Sequence, residues 1–544
     1  MAKLKITITL LFAVYCSLFT LTCFAQKDLP GMSLDVVTDY KPLLADAVKI
    51  DVSPKLLPAD SNKVVPSYNL QPKLLNLPFV PADIHPVAMV KETPDATQDN
   101  YLKAGFGTQI STFVSLNLNT GVSEKRDAGI YAMHHGGTGA LDFQKFSDNT
   151  IQAYYKKFFK KNAFNLKAGY DGTVRYFYGY DHKTIMDFVK KELRQSFQNV
   201  NSSFEFANTK ATKNNWDYNF STDYYYYWNR TGGNEWHIAP GLILGKTVNK
   251  IHTGSLFIGA DINQYNEDSV SSFNSIIHIK PMYSIKQDKW SLHAGFDIAL
   301  TDSSVYFLPD IEAHYNLIGE YVVPFAGING EINKNNFKNL TTENPFLNKN
   351  QTITYSKLID IHGGIKGSVG NHFSFMIRIA DQIVDHLALY NPDTNNVTRY
   401  DVSFAENANV FNLHGELGYK ESERLNILLA GDYNTYTLDF GAPAYGLPTQ
   451  KISLKAEYNI QKKILINASV YMANKTPYHF TVDSVDVTSY NKGYVDVNLG
   501  LIYNYKKNFA AFVQFNNITS TAYNRWYNYP GYGFGLMGGL ILKF

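Results

Sequence analysis

The chain has 544 residues, with 50 Lys and Arg against 48 Asp and Glu, two Cys, 39 Tyr and 35 Phe. A balance this close to neutral excludes a general nucleic-acid binder, which needs a basic footprint to neutralise phosphates. Two cysteines in such a length exclude a disulfide-stapled scaffold.

At the start, Lys3 and Lys5 precede the apolar run Ile6 to Phe24, and the small residue Ala25 closes it. This pattern predicts a signal peptide over 1–25, cut near Ala25. Both cysteines, Cys16 and Cys23, fall inside it, and Thr20, Leu21 and Thr22 fit a lipidation site poorly. Residues 26–98 then hold 10 of the 20 prolines, one glycine and three aromatics, Tyr40, Tyr68 and Phe79. Proline at that density interrupts helix and sheet ladders alike, so the segment is expected to be extended, with little core of its own. No later run of 18 apolar residues supplies a transmembrane helix, so a membrane location requires strands.

From 99 to 544 the sequence alternates with period two. Trp216, Tyr218, Phe220, Tyr224, Tyr226 and Trp228 fall on one face of a strand, with Asp217, Asn219, Ser221 and Asp223 on the other. Leu292, Ala294, Phe296 and Ile298 alternate with Ser291, His293, Gly295 and Asp297 in the same way. Further runs set Phe373, Phe375, Ile377 and Ile379 against Ser374, Met376 and Arg378, and Val495, Val497, Leu499 and Leu501 against Asp496 and Asn498. Many runs exceed the five or six residues usual for globular strands, and aromatics crowd toward their ends, as in Tyr224–Trp228 and Tyr523–Tyr529, where a headgroup layer favours amphipathic rings. The expected fold is therefore all-β: a transmembrane antiparallel β-barrel of about 22 strands (range 18–24), following an extended Pro-rich N-terminal segment. Candidate outer loops are 177–192, 333–352, 387–398, 477–490 and 519–530, and Lys183–Leu193 has helical spacing.

The last strand carries an alternate apolar set, Tyr532, Phe534, Leu536, Leu540, Leu542 and Phe544, ending in a C-terminal aromatic. This resembles the terminal signal read by the outer-membrane barrel assembly machinery. The preceding Phe515-Asn516-Asn517-Ile518, with Tyr523, Trp526 and Tyr529-Pro530-Gly531, is similar to the closing hairpin of TonB-dependent receptor barrels. Near the N-terminus Leu34, Asp35, Val36, Val37 and Thr38 resemble the Val-rich stretch around the energy-coupling box of that family. The resemblance implies a Gram-negative outer-membrane location after signal cleavage, lipid around the barrel, a TonB-type coupling protein as partner and solute uptake as function. The chain departs from the family where the plug should be, because 26–98 is too short and lacks the glycines and alternating strands of a globular plug. The lumen is then filled by this strap, by inward side chains and loops, or by a partner.

No pattern of a catalytic or metal centre stands out. There is no G-x-S-x-G elbow, no H-E-x-x-H and no phosphate-binding loop. His134 and His135 are adjacent, so on a strand they point to opposite faces and do not share an ion. The run Asn391 to Asn396 lacks the spaced acids of a calcium loop and reads as a turn. No enzyme, cofactor or metal is expected. Lumen-facing Asp217, Asp223, His293, Asp297, Arg378, Asp496 and Asn498 suit a wet interior whatever passes through it. Three functions stay open: a solute receptor, a structural or assembly barrel that docks surface lipoproteins, and a passive channel.

Overall fold

A computed structural model describes residues 100–544 apart from 122–124, 184–189, 211, 213, 397 and 483–484. Residues 1–99, and with them the signal peptide, the Pro-rich segment and Leu34–Thr38, lie outside the described residues.

Twenty-two antiparallel strands form one closed sheet. Each strand pairs with its neighbour in sequence, and the first, Tyr101–Gly107, closes on the last, Gly535–Lys543, in register from Tyr101 opposite Lys543 to Gly107 opposite Met537. Closure removes the sheet edge, whose unpaired backbone groups would cost several kcal/mol each in hydrocarbon. At this seam Gly539 is required. A side chain there would run into the Ala104 carbonyl and the Phe512 ring, which packs over the joint from inside.

The alternation sorts side chains as expected. Phe220, Tyr224, Ile258, Phe296, Ile361, Ile377, Ile379 and Leu540 are exposed on the outer wall, and Phe307 is 71% exposed. Asp297, Asp360, Arg378 and Asn412 are buried on the inner wall. An exposed apolar surface this continuous has no place in water and fits a lipid-facing band.

The two rims differ. On the rim that carries Asn100 and Phe544 the turns are short, such as 159–161, 249–251, 370–372, 422–424 and 507–508. Several are closed by residues at positive φ, including Asn249, Lys250, Gly370 and Ser422. The opposite rim carries 177–193, 336–353, 386–407, 439–449, 474–493 and 517–534. All five sequence-predicted loops lie on this second rim, the extracellular side by the usual asymmetry of such barrels. Three of these connections contain small hairpins, Leu387–Pro392 with Tyr400–Ala405, Thr476–Val482 with Val485–Asn491, and Asn524–Trp526 with Tyr529–Pro530. The helix expected over Lys183–Leu193 is described only as Lys190–Leu193.

One expectation is corrected. Tyr523, Trp526 and Tyr529 are buried, not placed at a lipid interface. Their hairpin folds over the mouth, so their rings meet other loops and not headgroups. In the same way, alternation turns Tyr225 and Tyr227 into the barrel and leaves Tyr224, Tyr226 and Trp228 on the outer face.

Candidate functional site

The outer loops meet in one aromatic cluster. Phe177, Tyr178, Leu340, Phe346, Leu347, Tyr390, Tyr400, Tyr478, Trp526 and Tyr529 pack together although their loops leave the wall at widely separated points around it. Loops rooted so far apart can touch only by crossing the opening, so the cluster is a cap on the outer mouth. Phe346 stacks on Tyr529 at 3.6 Å between centroids, Tyr178 meets Tyr529 edge-on at 4.9 Å, and Arg399 sits 4.2 Å above Phe177. Gly179 is needed because a side chain there would strike the Tyr529 ring.

The phenols tie the loops to one another's backbone. Tyr400 donates to the Tyr527 carbonyl at 2.8 Å, Tyr478 to Arg525 at 3.1 Å, Tyr178 to Pro530 at 3.0 Å and Tyr529 to Thr398 at 2.5 Å. Gln144 donates to Pro530 at 2.8 Å, and Asn348 donates to both Asp393 and Asp401 at 2.8 Å. Burial holds these phenols neutral: it pushes Tyr178 up to about 12 and Tyr390, Tyr400 and Tyr529 well above the ordinary value. It also lowers Arg399 and Lys338, whose charges are costly among rings.

The cap is anchored to the inner wall through the short helix Phe337–Glu343. Asn336 caps its N-terminus by accepting from Asn339 N at 2.9 Å. Glu235, on the wall, accepts from Phe337 N at 2.8 Å and from the Tyr225 hydroxyl at 2.7 Å. Tyr227 and Thr341 share a hydrogen bond at 2.8 Å, and Phe337 packs among Phe197, Tyr225, Tyr227 and Tyr265. Glu267 fixes the far end of the loop, accepting from Asn350 N at 2.8 Å and Tyr265 at 2.6 Å. Sequence alternation could show that Tyr225, Tyr227 and Glu235 face inward, but not that a loop folds back to meet them.

Below the cap the inner wall is lined by ion and hydrogen-bond pairs. Asp297 binds His278 at 2.7 Å and Lys280 at 3.1 Å, His293 lies 3.5 Å from Asp310, and His414 binds Asp432 at 2.8 Å. Arg378 pairs with Asp360, which His362 and Gln382 also bind, each at 2.7 Å. Of the other expected lumen residues, Asp496 accepts from Tyr523 at 2.6 Å, Asn498 from Asn517 N at 2.9 Å and Asp217 from Asn208 at 2.8 Å. Asp223 lies on the same face and is exposed. The structure spreads these residues over the wall and gathers no single constellation from them.

His134 and His135 do point to opposite faces. His134 bonds Asn149 at 2.8 Å on the outer wall, and His135 packs edge-on to Phe113 and Phe146 within. The oxygens of Asp393 and Asn396 are used within their turn, by Asn395 N at 2.8 Å and Thr398 at 2.6 Å. Among the described residues no three His, Cys, Asp or Glu side chains come together as metal ligands would.

No family model matches the sequence, and neither does any curated protein. Solved structures do. The pyoverdine outer membrane receptor FpvA of Pseudomonas aeruginosa aligns over 82% of this chain and 78% of its own, at 11% identity and a TM-score of 0.62. The ferric enterobactin receptor PfeA of the same species aligns over 82% and 80%, at 11% identity and 0.61. The FrpB iron transporter of Neisseria meningitidis aligns over 82% and 81%, at 10% identity and 0.65. The fold is that of the TonB-dependent receptor barrel. The resemblance read from the C-terminal hairpin thus holds for the whole wall, at an identity where shape is all that is shared.

Proposed function

We propose that this protein is an outer-membrane receptor that takes up a solute too large or too scarce for a simple porin. The observation that carries this reading is the capped mouth: the lumen of a 22-strand barrel is wide, and aromatic loops from separate points on its outer rim pack together. A passive channel has no use for such a cover, whereas a receptor needs a gate that solute binding can shift. The solved structures of the same fold are siderophore and iron receptors, which makes a ferric chelate the first solute to try.

In this reading residues 1–25 are removed near Ala25, and 26–98 acts from the periplasm as a reduced plug and coupling strap. Leu34, Asp35, Val36, Val37 and Thr38 contact a TonB-type protein by adding as an extended strand. The set Tyr532, Phe534, Leu536, Leu540, Leu542 and Phe544 serves as the assembly signal. In support, all of these but Tyr532 are exposed on one outward face. Tyr532 lies against Phe146 at 5.1 Å.

Planar-bilayer conductance and whole-cell uptake test the proposal together. The full protein is expected to be closed, and forms lacking 26–98 or carrying Tyr529→Ala are expected to conduct more. Val36→Pro is expected to abolish uptake without changing conductance. Steady conductance by the full protein would assign a passive channel. A closed barrel with no uptake of any ferric chelate, copurifying with surface lipoproteins, would assign the structural role.

A further inference from the structure

The lipid-facing wall is not uniform. A furrow of about 780 Å³ runs along it, lined by Leu244, Leu256, Pro281, Ala294, Phe296 and Ile311. It exists because small residues come together in register. Gly254 stands opposite Lys246 and Tyr283, and Tyr283 opposite Ala294, which in turn faces Ile311. A side chain at Gly254 would meet nothing within 4 Å, so the floor there is open. Pro281 adds to the dent. It has no N–H for the ladder, and pairing with the next strand stops at Ile279 and resumes at Met282.

The furrow has a polar end. Lys246 lies 5.3 Å from the centre of the Trp216 ring, and the Tyr283 hydroxyl meets His252 Nδ1 at 2.8 Å. These four residues stand near strand ends on the short-turn rim: Trp216 and His252 begin their strands, and Lys246 and Tyr283 come shortly before the ends of theirs. Trp and Tyr at that height mark the headgroup layer, and Lys250 and Lys289 stand in adjoining turns, with Asp288 beside Lys289.

We propose that this furrow is a binding site for one anionic glycerophospholipid of the inner leaflet, with an acyl chain along Leu256, Pro281 and Ala294 and the phosphate held at Lys246. An apolar peptide or a second barrel would fill the dent but leave a cation and an imidazole–phenol pair unused at its end, so charge complementarity favours the lipid. The site is independent of whether the lumen transports anything.

Photoactivatable phosphatidylglycerol and phosphatidylcholine, each with the reactive group on an acyl chain, test this on the full protein in lipid nanodiscs. Adducts of phosphatidylglycerol are expected to be several-fold denser on 244–311 than on the equally apolar wall at 361–383, with a smaller excess for phosphatidylcholine. Gly254→Leu, which fills the floor, is expected to abolish the excess, and Lys246→Gln to remove the preference between headgroups. Heat-modifiable migration of both variants shows that the barrel has formed. Adducts spread evenly around the wall, an unchanged pattern in Gly254→Leu, or adducts replaced by barrel–barrel cross-links would overturn the proposal.

Discussion

The wall and the cap of this barrel are held together in opposite ways. On the wall each strand pairs with its neighbours in sequence, save at the seam where the first meets the last, and the outward or inward choice follows a two-residue period. In the cap, Tyr529 touches Tyr178 and Phe346, residues from loops far away in sequence. A fault in the wall stays local unless it strands a charge, whereas a fault in the cap releases several loops at once. The cap is therefore the region whose opening can be tested apart from that of the barrel.

The largest effects test whether the two regions are separable. Tyr529→Ala removes a buried ring at the centre of the cap, where such truncations cost about 3–5 kcal/mol. Protease cleavage in 386–407 and 517–534 is expected to rise while heat-modifiable migration is kept; loss of the folded barrel as well would show that wall and cap are one unit. Arg378→Met leaves Asp360 with His362 and Gln382 alone, so the loss is expected to stay below about 3–5 kcal/mol, the cost of breaking a buried pair outright. It is expected to lower the unfolding midpoint in denaturant and leave loop proteolysis unchanged, and Arg378→Met with Asp360→Asn should recover most of it.

Ile377→Arg, on the lipid face, should cost about 2–4 kcal/mol near the bilayer midplane, against a small loss for Ile377→Val. Folding yield into vesicles measures both. Gly179→Ala is a gentler version of the first test, since the added methyl must displace the Tyr529 ring. A modest rise in cleavage of 177–193 is expected, with no change in the wall.

The smallest effect is a pH dependence of the cap. Its buried phenols have raised values, Tyr178 up to about 12, against about 10 for a tyrosine released to water. Their contribution to closure is therefore complete below about pH 10 and falls as pH rises toward 12, because the opened state ionises first. Tyrosinate absorbance should show a late-titrating group that becomes smaller in Tyr529→Ala. Titration of all tyrosines together in the parent protein would mean that the cap is open in solution.

Much of the wall was legible in the sequence. A strand number near 22, the side of the five candidate outer loops and the outward faces of Trp216–Asn229 and Phe373–Asp385 follow from alternation and turn spacing, whereas the outer connection 439–449 was not singled out. Tyr523, Trp526 and Tyr529 were misplaced by the same reasoning, because an aromatic-rich strand end reads alike whether its rings enter headgroups or another loop. Local pattern carries no information about which distant loop is the partner.

The amino-acid order by itself thus determined a closed transmembrane barrel, since period two with one oily face leaves lipid outside and a wet interior as the consistent solution. Only the tertiary structure decided that the outer loops pack on one another, that Glu235 receives the helix Phe337–Glu343, and that Gly254, Pro281 and Ala294 combine into a furrow. These depend on residues far apart in sequence being brought into contact or register by closure of the sheet. That geometry exists only once all 22 strands have joined.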